Sequence, residues 1–150
     1  MGSKNRVAKE IKPFFQNYLD NGFDFVEPFV GGANMTASIE AQNRFCYDKN
    51  KFLIAMWESL LGGWQPPYFS RTEYQDIKNN PSKYADNIVG WVGFNCSYSG
   101  KFFGGYAGKT KTKTGFRDYQ YEATKNIKKQ LPNLRGAVFK TSSFEKISIV

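Results

Sequence analysis

No histidine occurs in the chain, so imidazole acid–base catalysis and histidine-ligated metal centres are excluded. Its two cysteines, Cys46 and Cys96, are too few for a disulfide framework and lack the spacing of a zinc site. That usage points to a reducing, cytoplasmic setting. No apolar run approaches the roughly 20 residues that cross a bilayer. The N-terminal MGSKNRVAKEIKPFF also lacks the apolar core of a signal peptide. Two phosphate-binding signatures are missing as well, the G-x-G-x-x-G of dinucleotide folds and a complete P-loop.

What is present describes a globular protein. With 150 residues, 41% hydrophobic and 17% aromatic, the chain is long enough to bury one core and too apolar to be disordered. The net charge of +8 is localised. Residues 1–100 balance their acids and bases, and 145–146 cancel, so the excess lies in 101–140. There Lys101, Lys109, Lys111, Lys113, Arg117, Lys125, Lys128, Lys129, Arg135 and Lys140 face only Asp118 and Glu122. Such a block suits a polyanion such as double-stranded DNA, although a solvated face with no ligand has the same composition.

Hydrophobic periodicity sets the order of elements. Val7, Ile11, Phe14, Phe15, Tyr18 and Leu19 recur at helical spacing, with Pro13 expected to kink the helix and Asn21-Gly22 to stop it. Residues 23–26 and 44–47 read as strands. Met35–Ala41 and Asn50–Leu61 read as helices, the latter stopped by Gly62-Gly63. This helix–strand alternation is the opening of a doubly wound α/β domain. The rhythm then breaks. Residues 71–79, 83–93 and 117–131 read as helical, 94–116 as an irregular stretch rich in Gly, Lys, Thr and aromatics, and 137–140 as a further strand. The alternation KTKTKT at 109–114 is the single low-complexity patch. Trp57, Trp64 and Trp91 read as packing residues.

The turn Glu27-Pro28-Phe29-Val30-Gly31-Gly32 falls where a strand passes into a helix. Its glycines permit positive φ and close approach of a ligand to the backbone. Asp48 ends the next strand about 20 residues later, so a wound sheet brings both acids to its C-terminal edge. A carboxylate there accepts the two hydroxyls of a ribose, and a nucleoside without phosphates fits better than a diphosphate. A tight turn followed by a solvated aspartate has the same spacing.

These residues resemble the Dam-like, D12 class of adenine-specific DNA methyltransferases, of phage type. EPFVGGANM is similar to that class's cofactor motif, and YDKN, with Asp48, to the segment holding the adenosyl ribose. MGSKNRVAKEI resembles a Gly-containing element whose lysine touches the cofactor, with Gly2, Ser3 and Lys4 as the matches. FNCSYSGKFFGGY, residues 94–106, is similar to a loop within the DNA-contacting region.

The resemblance implies a Rossmann-like S-adenosylmethionine-dependent fold. Residues 1–62 would hold the cofactor, 63–135 would form a basic target-recognition insertion, and 136–150 would return to an incomplete sheet. It implies cofactor contacts from Gly2, Ser3, Lys4, Glu27, Pro28, Phe29, Gly31, Gly32 and Asp48. DNA contacts would come from Ser97, Tyr98, Lys101, Lys109, Lys111, Lys113 and Arg117. It implies methyl transfer to the N6 amine of a flipped adenine, without metal, in a bacterial or phage-infected cell, as in restriction–modification. The alternative from another class is a non-enzymatic basic DNA-binding protein.

Other motifs fall away. GGYAGKT ends like a P-loop, but the required first glycine would be residue 103, a phenylalanine. Cys46 and Cys96 do not follow proline, as the nucleophile of carbon-5 cytosine methylation does in the families that use one, and read as small packed residues. The family's acceptor tetrapeptide is Asp, Asn or Ser followed by Pro-Pro and an aromatic. Gln65-Pro66-Pro67-Tyr68 imitates it, yet follows a helix and a glycine break instead of a strand, precedes the DNA-contacting region and carries a side chain one methylene too long. It reads as a helix-to-helix connector. No other match occurs among the 150 residues. The expectation is therefore that the chain stops short of its catalytic loop and is inactive alone.

Overall fold

A computed structural model describes residues 5–147. Helix α1 (Asn5–Asp20) contains Pro13 without ending there. It lays Ile11 and Leu19 against Met35 and Ile39, a small apolar cluster that seats α2 (Asn34–Ser38). Strands β1 (Phe25–Glu27), β2 (Arg44–Asp48) and β5 (Val138–Thr141) form a parallel sheet in the order β1-β2-β5. Glu27 pairs with Cys46 and Asp48 with Thr141, which brings the three C-terminal strand ends to one edge.

The main core lies on α3 (Lys51–Leu61). Asn50 caps it, its side-chain oxygen accepting the N–H groups of Phe52 and Leu53 at 3.0 and 3.2 Å. Leu53, Ile54, Met56, Trp57 and Leu60 then bury against β5 and α5 (Asp86–Asn95). Each such side chain contributes about 1.5–3 kcal/mol by leaving water. The two helices cross where Gly90 has no side chain; a Cβ there would lie 2.0 Å from the Phe52 carbonyl oxygen.

Gly62 and Gly63 turn the chain out of α3, and residues 64–70 form no regular element before α4 (Arg71–Asn79), which opens on a capping box of Ser70 and Glu73. The Pro-Pro-Tyr stretch is thus a helix-to-helix connector. Two expectations are corrected. The segment 94–116 is not irregular throughout: Lys109–Thr112 (β3) and Gly115–Asp118 (β4) form an antiparallel hairpin. The helix after the glycine turn ends at Ser38, short of Ala41. Helix α6 (Tyr119–Gln130) follows the hairpin directly, capped by Asp118.

Candidate functional site

The glycine turn leaves β1 at Glu27 and is held from four directions. Val30 N–H donates to the Tyr47 carbonyl at 3.0 Å, locking the turn to β2. Trp57 Nε1 of α3 donates to the Gly31 carbonyl at 3.0 Å, and Gln130 Nε2 of α6 to the Gly32 carbonyl at 2.6 Å. The Thr36 hydroxyl of α2 donates to Glu27 Oε2 at 2.5 Å. Gly31 adopts φ 48°, the left-handed conformation that glycine tolerates. The second left-handed position is Ala33, with φ 56°, and not Gly32.

The two acids take different places. Glu27 is 4% exposed, and burying its carboxylate requires the hydrogen bonding it receives. It shapes the turn from inside. Asp48 is half-buried at the sheet edge, where its Oδ1 accepts Asn50 N–H at 3.0 Å. Pro28 is half-buried and Gly32 buried. Phe29 projects from the turn, and its ring meets that of Phe144 at 5.5 Å, each more than half exposed. Phe144 follows β5, so two aromatic faces flank the same edge as Asp48. An acid able to accept hydroxyl groups and two exposed aromatic faces thus lie at one sheet edge. Gly2, Ser3 and Lys4 lie outside the described residues.

Sequence reasoning missed the supports. Trp57 and Gln130 lie 26 and 98 residues from their partners, and no periodicity links them to the turn. Phe144 carried a faint signal, an aromatic just past a strand.

The hairpin carries four of the segment's ten basic residues, Lys109, Lys111, Lys113 and Arg117. Register pairs Lys109 with Asp118 and Lys111 with Phe116, so these four residues share one face while Thr110 and Arg117 share the other. Phe116 is 73% exposed, with Lys109 Nζ 5.7 Å from its ring centroid. Lys113 lies in the turn and Lys101 on the preceding loop, both exposed. Arg117 is engaged within the chain. Its Nε donates to Glu122 Oε2 at 2.8 Å, its guanidinium stacks 4.4 Å over Tyr119, and the Glu122 contact raises its already high pKa.

Ser97, expected on the DNA side, is buried, with its hydroxyl 2.9 Å from that of Tyr74. Tyr74 OH also accepts Gly105 N–H at 3.1 Å, so the pair braces loop 97–106 from within. Tyr98 stays exposed beside Tyr119, ring to ring at 5.3 Å. Cys96 is buried and its thiol pushed up to about 12, the state of a packed and unreactive side chain. Cys46 is buried too. Among the described residues no group of His, Cys, Asp and Glu could hold a metal, and no helix is long and apolar enough to cross a membrane.

A cleft of about 790 Å³ joins the two regions, with Gly32 and Asn34 on one wall and Arg117, Tyr119 and Lys129 on the other. A groove of mixed polar and apolar lining therefore lies between the glycine turn and the basic segment.

Residues 1–89 match the family model described as D12 class N6 adenine-specific DNA methyltransferase. No curated protein matches the chain.

Proposed function

The chain belongs to the D12 class of N6 adenine-specific DNA methyltransferases, and from that premise we propose that it is the cofactor-binding and DNA-contacting part of a site-specific, phage-type enzyme. It uses S-adenosylmethionine on a Rossmann-like sheet and acts on the exocyclic N6 of adenine. The observation that carries this reading is the β1–β2 pairing, which puts the glycine turn, Phe29 and Asp48 on one edge with Phe144.

The residues present fit an adenosyl group. Asp48 accepts ribose hydroxyls, Phe29 and Phe144 offer apolar faces to a planar ring, and the left-handed Gly31 lets the turn's backbone approach. Lys4, with Gly2 and Ser3, joins this set by resemblance. When bound, the cofactor's sulfonium supplies an activated methyl group that passes directly to a nucleophilic amine. Lys101, Lys109, Lys111 and Lys113 neutralise phosphates, and Tyr98 stands beside them. The target adenine has to leave the stack to be reached.

Because these 150 residues contain no Asp-, Asn- or Ser-Pro-Pro-aromatic, we propose that on their own they transfer little or no methyl. Labelled cofactor incubated with the purified chain and GATC-containing duplex tests this, and robust transfer refutes it. Titration calorimetry tests the site itself. Asp48→Ala abolishes cofactor binding, whereas Asp48→Asn, which keeps an acceptor for Asn50 N–H, weakens it less. Unchanged affinity in Asp48→Ala overturns the ribose assignment. The second reading, a basic DNA-binding protein without cofactor, draws on the lysine-bearing hairpin. It predicts no thermal shift with S-adenosylmethionine, where specific binding at 100 times Kd adds about 2.7 kcal/mol.

A further inference from the structure

Arg44 is the first residue of β2, as Asp48 is the last, and its side chain is half-buried. Among the described residues it forms no ion pair. Its guanidinium donates to main-chain carbonyls instead. Nη1 reaches the Thr36 oxygen at 3.0 Å and the Asn133 oxygen at 2.6 Å, and Nη2 reaches the Arg135 oxygen at 2.7 Å. The first acceptor is 8 residues away along the chain, the others 89 and 91. A planar fork with donors in fixed directions spans such separate oxygens, whereas an ammonium is a point charge.

All three acceptors border the glycine turn. Helix α2 starts just beyond the turn and has only 5 residues. A helix that short does not hold itself, and its last carbonyls lack partners within it. Thr36 works at both ends of this problem: its carbonyl accepts from Arg44 while its hydroxyl donates to Glu27 Oε2.

On the other side, Asn133 and Arg135 follow α6, whose last residue, Gln130, donates to the Gly32 carbonyl. Arg44 thus ties together the two segments that grip the turn, α2 through Glu27 and the end of α6 through Gly32. The sequence could not disclose this, because the acceptors are backbone atoms and most of them lie about 90 residues on.

We infer that Arg44 is a positioning residue for the cofactor turn, an inference that rests on the S-adenosylmethionine reading above. It acts through the turn and not on the ligand. Its fork fixes α2 against the chain that follows α6, so Glu27, Gly31 and Gly32 hold one arrangement before a nucleoside arrives. Such preorganisation raises affinity by removing an ordering cost from the binding step. Lysine at this position keeps the charge and loses the fork.

Arg44→Lys tests the assignment well below its Tm, with circular dichroism confirming a folded chain. Titration calorimetry then finds S-adenosylmethionine bound about tenfold more weakly than by the native chain, the equivalent of one net hydrogen bond. The Trp57 indole N–H, which donates to the Gly31 carbonyl, reports on the turn without any ligand. Its proton resonance, identified by nuclear Overhauser contacts to Phe139, moves in Arg44→Lys. The salt slope of DNA binding keeps its native value, because the hairpin lysines lie outside the clamp. Arg44→Gln, which retains one amide donor, gives the same pattern and serves if the lysine variant does not fold. Native cofactor affinity in a folded variant overturns the inference, as does an unmoved Trp57 resonance. Cofactor affinity and DNA slope falling together overturn it too, since that marks general loosening. Failure of the cofactor reading has its own signature: a native chain that binds no S-adenosylmethionine, which overturns both.

Discussion

Replacing Gly90 by alanine tests the crossing on which both functional regions stand. α3 carries Trp57, which holds the Gly31 carbonyl, and α5 leads into loop 97–106. An alanine Cβ at 90 would meet the Phe52 carbonyl oxygen at 2.0 Å and Met56 Cβ at 3.1 Å. Ordinary contact begins near 3.4 Å, so α5 has to retreat by about 1.4 Å from backbone atoms that cannot rotate away. Overpacking of this kind costs about 1–3 kcal/mol, and the retreat also loosens the buried packing between α3 and α5. Against this stands alanine's helix propensity, about 1 kcal/mol over glycine. The net expectation is a loss of up to about 2 kcal/mol, or about 2–4 °C in Tm per kcal/mol for a chain of this size. Gly62→Ala is the control. Gly62 has φ −78° and would place its Cβ no closer than 3.4 Å to any neighbour, so alanine there is neutral or stabilises by up to about 1 kcal/mol. Urea and thermal unfolding of the two variants beside the native chain decide. A Gly90→Ala protein as stable as Gly62→Ala would refute the close crossing.

Two further outcomes follow from charge and burial. The Cys96 thiol is held at about 12, above its unfolded value near 8.5. Its contribution to stability is complete below about pH 8.5 and is lost as pH rises towards 12. Cys96→Ala flattens the stability–pH slope between pH 9 and 11, and iodoacetamide at pH 8 labels the folded chain far more slowly than the unfolded one; prompt labelling contradicts the buried thiol. For the hairpin, Lys109→Ala, Lys111→Ala and Lys113→Ala combined lower the slope of log K against log salt by about 0.9 for each phosphate that is no longer neutralised. An unchanged slope in anisotropy titrations at several salt concentrations removes these lysines from the interface.

Much of the fold was legible because its signals are local. The apolar stripe of α3 and the Gly62-Gly63 stop lie in one short window, and β1 and β2 announce themselves as apolar runs between turn residues. The hairpin was misread because Lys and Thr alternating at 109–114 have no apolar member, so a period of two looked like low complexity. Gly115, with φ 132°, was the overlooked sign of a reversal. At the candidate site, the placing of the turn and Asp48 on one sheet edge followed from spacing alone. The inward orientation of Glu27 and of Ser97 could not, since burial is decided by Thr36 and Tyr74 arriving from other elements.

Helix α6 begins one residue after the hairpin and ends at Gln130, whose amide grips the Gly32 carbonyl. Its 12 residues make a rod of about 18 Å between the lysine-bearing hairpin and the glycine turn. A free energy that tilts the rod at one end is offset or recovered at the other. By linkage, whatever factor DNA imposes on cofactor affinity the cofactor must impose on DNA. Order of addition then changes the route and leaves the ternary equilibrium the same.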